Sequence, residues 1–268
     1  MPKNILVVMR EIWDTRNLAG EVLNESGAPR FNTFDTMVEP EDLNALEMAL
    51  KLRDAHNAPV TVVSLGDSIR VDVLRESLYR GADAAFRLQS AREKTLDALA
   101  RASLLSGAVE RKGPFDLILI GVDVPEGENS QVGSHLASLL GIPQVTYVED
   151  IESAEDNVLV ARRAIEGGTQ SVRVQMPALL TVGVALTQDD PRTPRSARAR
   201  LKLQHKKTAI PVLTASELEV SPPDLEPVVE LRGHEAVPLH EIHTVHIDGD
   251  DEGSLRDMFD QLQKERVI

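Results

Sequence analysis

The chain has 268 residues, of which 42% are hydrophobic, enough to bury a sizeable core, and its net charge of −14 argues against nucleic acid and anionic membrane surfaces as partners. Cysteine is absent, which excludes disulfides, thiolate nucleophiles, iron–sulfur clusters and Cys-based zinc sites. No apolar run approaches the roughly 20 residues that cross a bilayer, and the opening MPKNILVVMREIW lacks a signal-peptide core, so a soluble, cytoplasmic protein without membrane insertion is expected.

Ile5-Leu-Val-Val8 reads as a short buried central strand. Residues 14–36 are polar and hold Gly20, Gly27 and Pro29, which predicts an excursion or hairpin. Pro40 at a first helical position, with Glu41 and Asp42 behind it, starts a helix whose apolar residues Leu43, Leu46, Ala49 and Leu50 recur every three or four positions. A second strand follows at Val60–Ser64, a helix through Val71, Leu74 and Leu78, and a third strand at Ala84–Leu88. Residues 94–111 form the next predicted helix, Asp116–Ile120 a fourth strand, Gln131–Leu140 a helix and Val145–Val148 a fifth strand. Repeated strand–helix alternation predicts an α/β fold: an open parallel sheet with helices on both faces.

Beyond Asp150 the pattern changes. Val158–Ala161, a turn at Glu166-Gly-Gly168 and Val172–Met176 predict a β-hairpin, and the apolar run 178–186 predicts one more strand. Residues 192–207, RTPRSARARLKLQHKK, carry seven cations and no acid on an otherwise acidic chain. Such a run is either a solvated loop or a docking surface for another protein. Prolines punctuate the sequence from residue 210, predicting an extended tail, and Ser254 is expected to cap a last amphipathic helix through Leu255, Met258, Phe259 and Leu262.

Ligands of open parallel sheets bind beyond the carboxyl ends of the strands. Four stretches follow those ends: Met9-Arg10, Leu65-Gly66-Asp67, the exit of the third strand, and Gly121–Gly133. The last is a polar loop running into a helix N-terminus, which offers free N–H groups and partial positive charge to a phosphate. Its ordinary alternative is a loop whose Asn or Ser caps the helix. Dinucleotide, P-loop and pyrophosphatase fingerprints are absent, as are GxSxG and HExxH. His240, His243 and His246 recur at threes, a spacing open to metal or to a plain polar tail. No catalytic residue and no metal ligand is assigned, which suggests a binding or carrier subunit.

ARRAIEGGTQSVRVQMPALLT, residues 161–181, resembles the signature of the β subunit of electron transfer flavoproteins. Collinear agreement continues in Ile5–Arg10, Glu39-Pro40 with Ala45–Glu47, Val63–Gly66, Arg80–Asp83, Gln131–Gly133 and Leu139–Gln144. The resemblance implies an adenine nucleotide α-hydrolase-like sheet that binds AMP or a second FAD, paired with an α subunit in a heterodimer whose working FAD is held chiefly by α. It implies electrons arriving from flavin dehydrogenases and leaving to a quinone reductase or another acceptor. By matching positions the nucleotide site comprises Val8, Met9, Glu39, Leu65, Gly66, Val124, Gly127, Asn129, Ser130, Gln131 and Val132.

The same resemblance divides the chain into a nucleotide-binding domain over 1–190, a partner-recognition arm over 191–209 and a tail over 210–268 that wraps the α subunit. The docking residues it implies are Arg195, Ser196, Arg198, Arg200 and Leu201. Two departures stand out: Glu39 occupies the family's usual Asn position, and Ser196 the usual Leu anchor, for which Leu201 or Leu203 can substitute. The loop EGENSQVG at 126–133 is closer to the pattern of electron-bifurcating members, as are Asp14-Thr15 and Asp42, and this places FAD ahead of AMP. From another functional class, a stand-alone adenine-nucleotide regulatory module similar to universal stress proteins would use the same sheet. A hydrolase using the tail histidines is the third reading.

Overall fold

Four consecutive apolar residues form β1 (Ile5–Val8) at the interior of a nine-stranded sheet. Ile5 and Val7 pack against one helical layer, Leu6 and Val8 against the other, and all four are buried. This is the burial expected of a parallel strand covered on both faces. The computed structural model describes residues 1–16, 23–24, 30, 35–65, 71–90, 96–122, 131–229, 232, 244, 246, 249 and 251–267.

β2 (Glu11–Trp13) and β3 (Thr36–Val38) pair antiparallel on either side of the predicted excursion. α1 (Pro40–His56) begins as the sequence foretells, with Pro40 in its first turn beside Glu41 and Asp42, and it ends at Asn57 in the left-handed region. β4 (Val60–Leu65), α2 (Val71–Arg80) and β5 (Ala84–Gln89) follow. α3 (Ala98–Lys112) starts later than residue 94, because the Asp97 side chain caps it by accepting the N–H of Ala100. β6 (Leu117–Gly121) and α4 (Val132–Leu140) come next, with Gln131 at the cap position rather than inside the helix. Leu46, Leu50, Leu74 and Leu78 of α1 and α2 fill one face of the sheet, and Leu104, Leu105 and Leu136 of α3 and α4 the other.

The second half corrects several expectations. β7 (Gln144–Glu155) runs well past residue 148 and pairs antiparallel with β8 (Val158–Ile165), which pairs with β9 (Gly168–Gln175). β10 (Ala178–Val182) stops short of residue 186: its five residues are all buried, whereas Val184 and Leu186 beyond it are exposed. β10 inserts between β6 and β7, so the hairpin continues the main sheet. The charged arm contains α5 (Ala199–His205). β11 (Val212–Thr214) pairs with β5, and two 3-10 turns at Ala215–Leu218 and Pro222–Leu225 bring Leu218 and Leu225 onto α3. Residues 212–225 therefore add to the sheet layers instead of forming an extended tail.

The strand order is β11-β5-β4-β1-β6-β10-β7-β8-β9, parallel from β11 to β7. The expected α/β class with helices on both faces is borne out. The chain divides into two compact units, Met1–Val22 with Arg30–Arg232, and Leu23–Pro29 with Gly233–Ile268. The second holds α6 (Glu252–Lys264), capped by Asp251 and not by Ser254. Ser254 instead donates both its backbone N–H and its hydroxyl to Asp251 Oδ2, at 2.8 and 2.6 Å.

Candidate functional site

From β1 the chain builds β4 and β5 to one side, then crosses to β6 on the other. The crevice between the carboxyl ends of β1 and β6 is the position where such sheets take ligands. Asp42, fully buried in the first turn of α1, closes the base of this crevice. One carboxylate oxygen accepts Arg10 N–H at 2.7 Å and Arg10 Nε at 2.9 Å. The other accepts Arg10 Nη2 at 2.8 Å and the Gly121 N–H at 2.7 Å. Arg10 Nη2 also donates to the Gly121 carbonyl at 3.1 Å. One carboxylate thus ties the exits of β1 and β6 to the start of α1. Burial alone would lower the Arg10 guanidinium, but Asp42 outweighs it and raises the group above its ordinary value. Gly121 is needed here, since a Cβ would come within 2.7 Å of both Arg10 Nη2 and Glu41 Cβ.

Glu39 precedes α1 and is 4% exposed. Its Oε1 lies 3.5 Å from the Glu41 N–H, a weak cap. Burial pushes its carboxyl from 4.5 up to about 7, and the charge of Asp42 adds to the rise while Arg10 opposes it. Glu39 Oε2, Arg10 Nη1 and Ser64 Oγ are buried atoms without a hydrogen-bond partner among the described residues. Buried polar atoms are normally satisfied. All three atoms belong to residues at the carboxyl ends of β1 and β4 or the start of α1. A donor-and-acceptor set of this kind fits a polar, hydroxyl-bearing ligand such as a nucleotide.

The described residues give the sequence-derived set distinct roles. Val8 and Met9 are buried in the core, so only their backbone can meet a ligand. Leu65 is half-buried at the end of β4. Gln131 is exposed and makes no side-chain cap, while Val132 is buried beneath the first turn of α4. Gly133 presses that turn onto the sheet end, where a Cβ would lie 3.0 Å from Ile120 and Thr181. Gly66, Val124, Gly127, Asn129 and Ser130 lie outside the described residues. Sequence reasoning missed the Arg10–Asp42–Gly121 junction. Arg directly after the first strand and Asp in the first helical turn were visible, but nothing in their spacing announces that they meet.

The basic arm has two parts. Arg192 is buried and pairs with Asp190 at 2.7 Å, which holds that carboxyl down at about 2. Arg195 binds Glu47 at 2.8 Å and Asp54 at 2.8 Å, and Arg80 donates to its carbonyl. Asn44 Nδ2 donates to the Arg192 carbonyl at 2.7 Å, so the root of the arm is clamped to α1. Ser196, Arg198, Arg200, Lys206 and Lys207 are exposed, Leu201 is half-buried and Leu203 is 83% exposed. Of the implied docking residues, Arg195 is therefore a structural clamp, and the outward cations begin at Arg198.

Among the described residues no cluster of His, Cys, Asp or Glu could hold a metal ion, and no helix is long and apolar enough to cross a membrane. His240 and His243 lie outside the described residues.

Comparison with known proteins matches residues 33–218 to the electron transfer flavoprotein domain. The chain is 35% identical over 226 residues to the electron transfer flavoprotein subunit beta of Thermoanaerobacterium thermosaccharolyticum, covering 83% of this chain and 82% of that one. It is 34% identical over 189 residues to the caffeyl-CoA reductase-Etf complex subunit CarD of Acetobacterium woodii, covering 70% of each. With the acryloyl-CoA reductase electron transfer subunit gamma of Anaerotignum propionicum it shares 28% identity over 273 residues, 98% of this chain and 99% of that protein.

Proposed function

Because the chain belongs to the electron transfer flavoprotein family as a β-type subunit, we propose that it binds an adenine nucleotide at the β1–β6 crevice and works as half of a heterodimeric electron carrier. The observation that carries the reading is the set of buried polar atoms of Arg10, Glu39 and Ser64 at the carboxyl edge that have no hydrogen-bond partner among the described residues. The N-terminus of α4 stands over the end of β6 and suits a phosphate. The nucleotide is a second FAD ahead of AMP, on the loop pattern at 126–133. The working FAD is shared with an α subunit.

A flavin supplies the one- and two-electron carriage when bound. This chain's residues supply binding and docking: Asp42 and Arg10 fix the strand exits that border the crevice, and Arg198, Arg200 and Leu201 meet a flavin dehydrogenase. Electrons then pass to a quinone reductase or another acceptor. The names of the Acetobacterium and Anaerotignum relatives, both subunits of CoA-reductase complexes, support a dehydrogenase-type partner. Co-expression with an α subunit tests this: a yellow heterodimer is expected, and a stable complex without flavin would overturn it. A stand-alone regulatory module is disfavoured by the β7–β9 hairpin and the clamped arm, which a small nucleotide sensor does not need.

A further inference from the structure

Tyr147 is held in a backbone conformation that its side chain disfavours. Its φ is 57°, in the left-handed region, where a bulky residue is a steric outlier. The other described non-glycine residues of positive φ follow a helix or a 3-10 turn, or make the turn between β7 and β8, whereas Tyr147 lies inside β7. The cause is a bulge: Leu180 pairs with Val145 and Val182 with Val148, so Thr181 of β10 alone stands opposite Thr146 and Tyr147. Two neighbours pin it. The Tyr147 N–H donates to the Thr181 hydroxyl at 3.2 Å. Arg163 of β8 donates from Nε to the Thr146 carbonyl at 3.0 Å and from Nη2 to the Thr146 hydroxyl at 2.9 Å. Bulges re-aim side chains, and such strain persists only where the surrounding structure imposes it. Here the re-aimed residue is 54% exposed and sits beside the last residue of β10, at the carboxyl edge of the sheet.

Thr181 links this bulge to the candidate phosphate cradle. It is buried, and a Cβ on Gly133, in the first turn of α4, would lie 3.0 Å from its methyl group. β7 is two strands beyond β6, about 10 Å at the usual strand spacing. A mononucleotide with its phosphate at the N-terminus of α4 ends short of Tyr147. A dinucleotide continues past its phosphates to a second flat ring, and a solvent-facing aromatic side chain stacks on such a ring.

Resting on the nucleotide reading above, we propose that Tyr147 is a specificity-determining residue that stacks on the isoalloxazine ring of a second FAD, and that Thr181 is a positioning residue that holds the Tyr147 peptide for that contact. AMP does not reach Tyr147, so the residue separates FAD from AMP and leaves the adenosine end of the site alone.

The test uses the intact heterodimer, with the α subunit's site filled with FAD, and equilibrium dialysis of FAD and of AMP into the second site. Tyr147→Asn removes the ring but suits a left-handed backbone, so the fold is kept. The ratio of FAD to AMP affinity then falls about tenfold, the scale of one lost aromatic stack. Tyr147→Phe keeps the ring and the ratio. Thr181→Val keeps the shape but removes the acceptor of the Tyr147 N–H, and the ratio falls part of the way. The stacking role is overturned if Tyr147→Asn keeps the wild-type ratio, if Tyr147→Phe loses as much as Tyr147→Asn, or if the wild type takes AMP and no FAD. Thr181→Val with the wild-type ratio overturns the positioning role. In all of these an adenine nucleotide is still bound, so the nucleotide reading survives. A heterodimer whose second site takes neither compound removes that reading and the proposal together.

Discussion

Asp42 Oδ1 accepts the backbone N–H of Gly121 at 2.7 Å, joining the first turn of α1 to the last residue of β6. Asp42 is also the ion-pair partner of Arg10, so its loss leaves a buried guanidinium and a buried backbone N–H unsatisfied. Breaking a buried pair from one side costs about 3–5 kcal/mol. Asp42→Ala is expected to lose stability on that scale in chemical denaturation. Gly121→Ala, which overpacks the same junction, should lose about 1–3 kcal/mol. Wild-type stability in both would show that the junction does not hold the strand ends.

Glu39 gives a pH prediction with a definite sign. Its carboxyl titrates at about 7 in the folded chain against 4.5 ordinarily. The folded state therefore holds the proton more tightly than the unfolded one. This contribution to stability is fully present below about pH 4.5 and is lost as pH rises through 7. Glu39→Gln does not titrate, so its stability relative to wild type should improve between pH 4.5 and 8 by up to about 3 kcal/mol. Parallel stability–pH curves for the two proteins would contradict the shift.

The arm separates into stabilising and docking charges, and reversal of each should tell them apart. Arg195→Glu places an acid against Glu47 and Asp54, and it should destabilise the protein by about 3 kcal/mol or more. Arg198→Glu with Arg200→Glu changes exposed side chains, so stability should stay within about 0.5 kcal/mol. Electron transfer from the dehydrogenase should slow in the latter pair, with a weaker salt dependence. An unchanged rate at low salt would show that the outward cations do not guide docking.

The cap of α6 is Asp251, whose carboxyl is lowered by the hydroxyl and backbone N–H groups of Ser254 and by the N–H of Gly253. Asp251→Ala should destabilise that helix by about 1 kcal/mol, read as faster amide exchange over residues 252–256. Ser254→Ala should have the smaller effect, since Ser254 gives hydrogen bonds to the cap and does not supply it. Equal effects would reverse the assignment.

Most of the central sheet was legible because each of its strands is a short apolar run bounded by Gly, Pro or charge. Pro40 with Glu41 and Asp42 announced α1 as it stands. What failed had local reasons. The run 178–186 is apolar apart from Thr181 and Gly183, but only Ala178–Val182 finds neighbours on both sides, so composition overran the strand. β11 has three residues and pairs with a strand far back in the chain, which periodicity cannot detect. The site was legible as a set of strand exits, while its chemistry was not. That Glu39 is buried with an oxygen unpartnered among the described residues, and that Arg195 clamps to Glu47, depend on contacts between distant residues. Val124, Gly127, Asn129 and Ser130 lie outside the described residues.

The most direct test of the account is to denature the purified heterodimer and count flavin and AMP released per complex. The account predicts the flavin shared with the α subunit together with a second adenine nucleotide from this chain, FAD ahead of AMP. Flavin in the complex with no second nucleotide of either kind would contradict it.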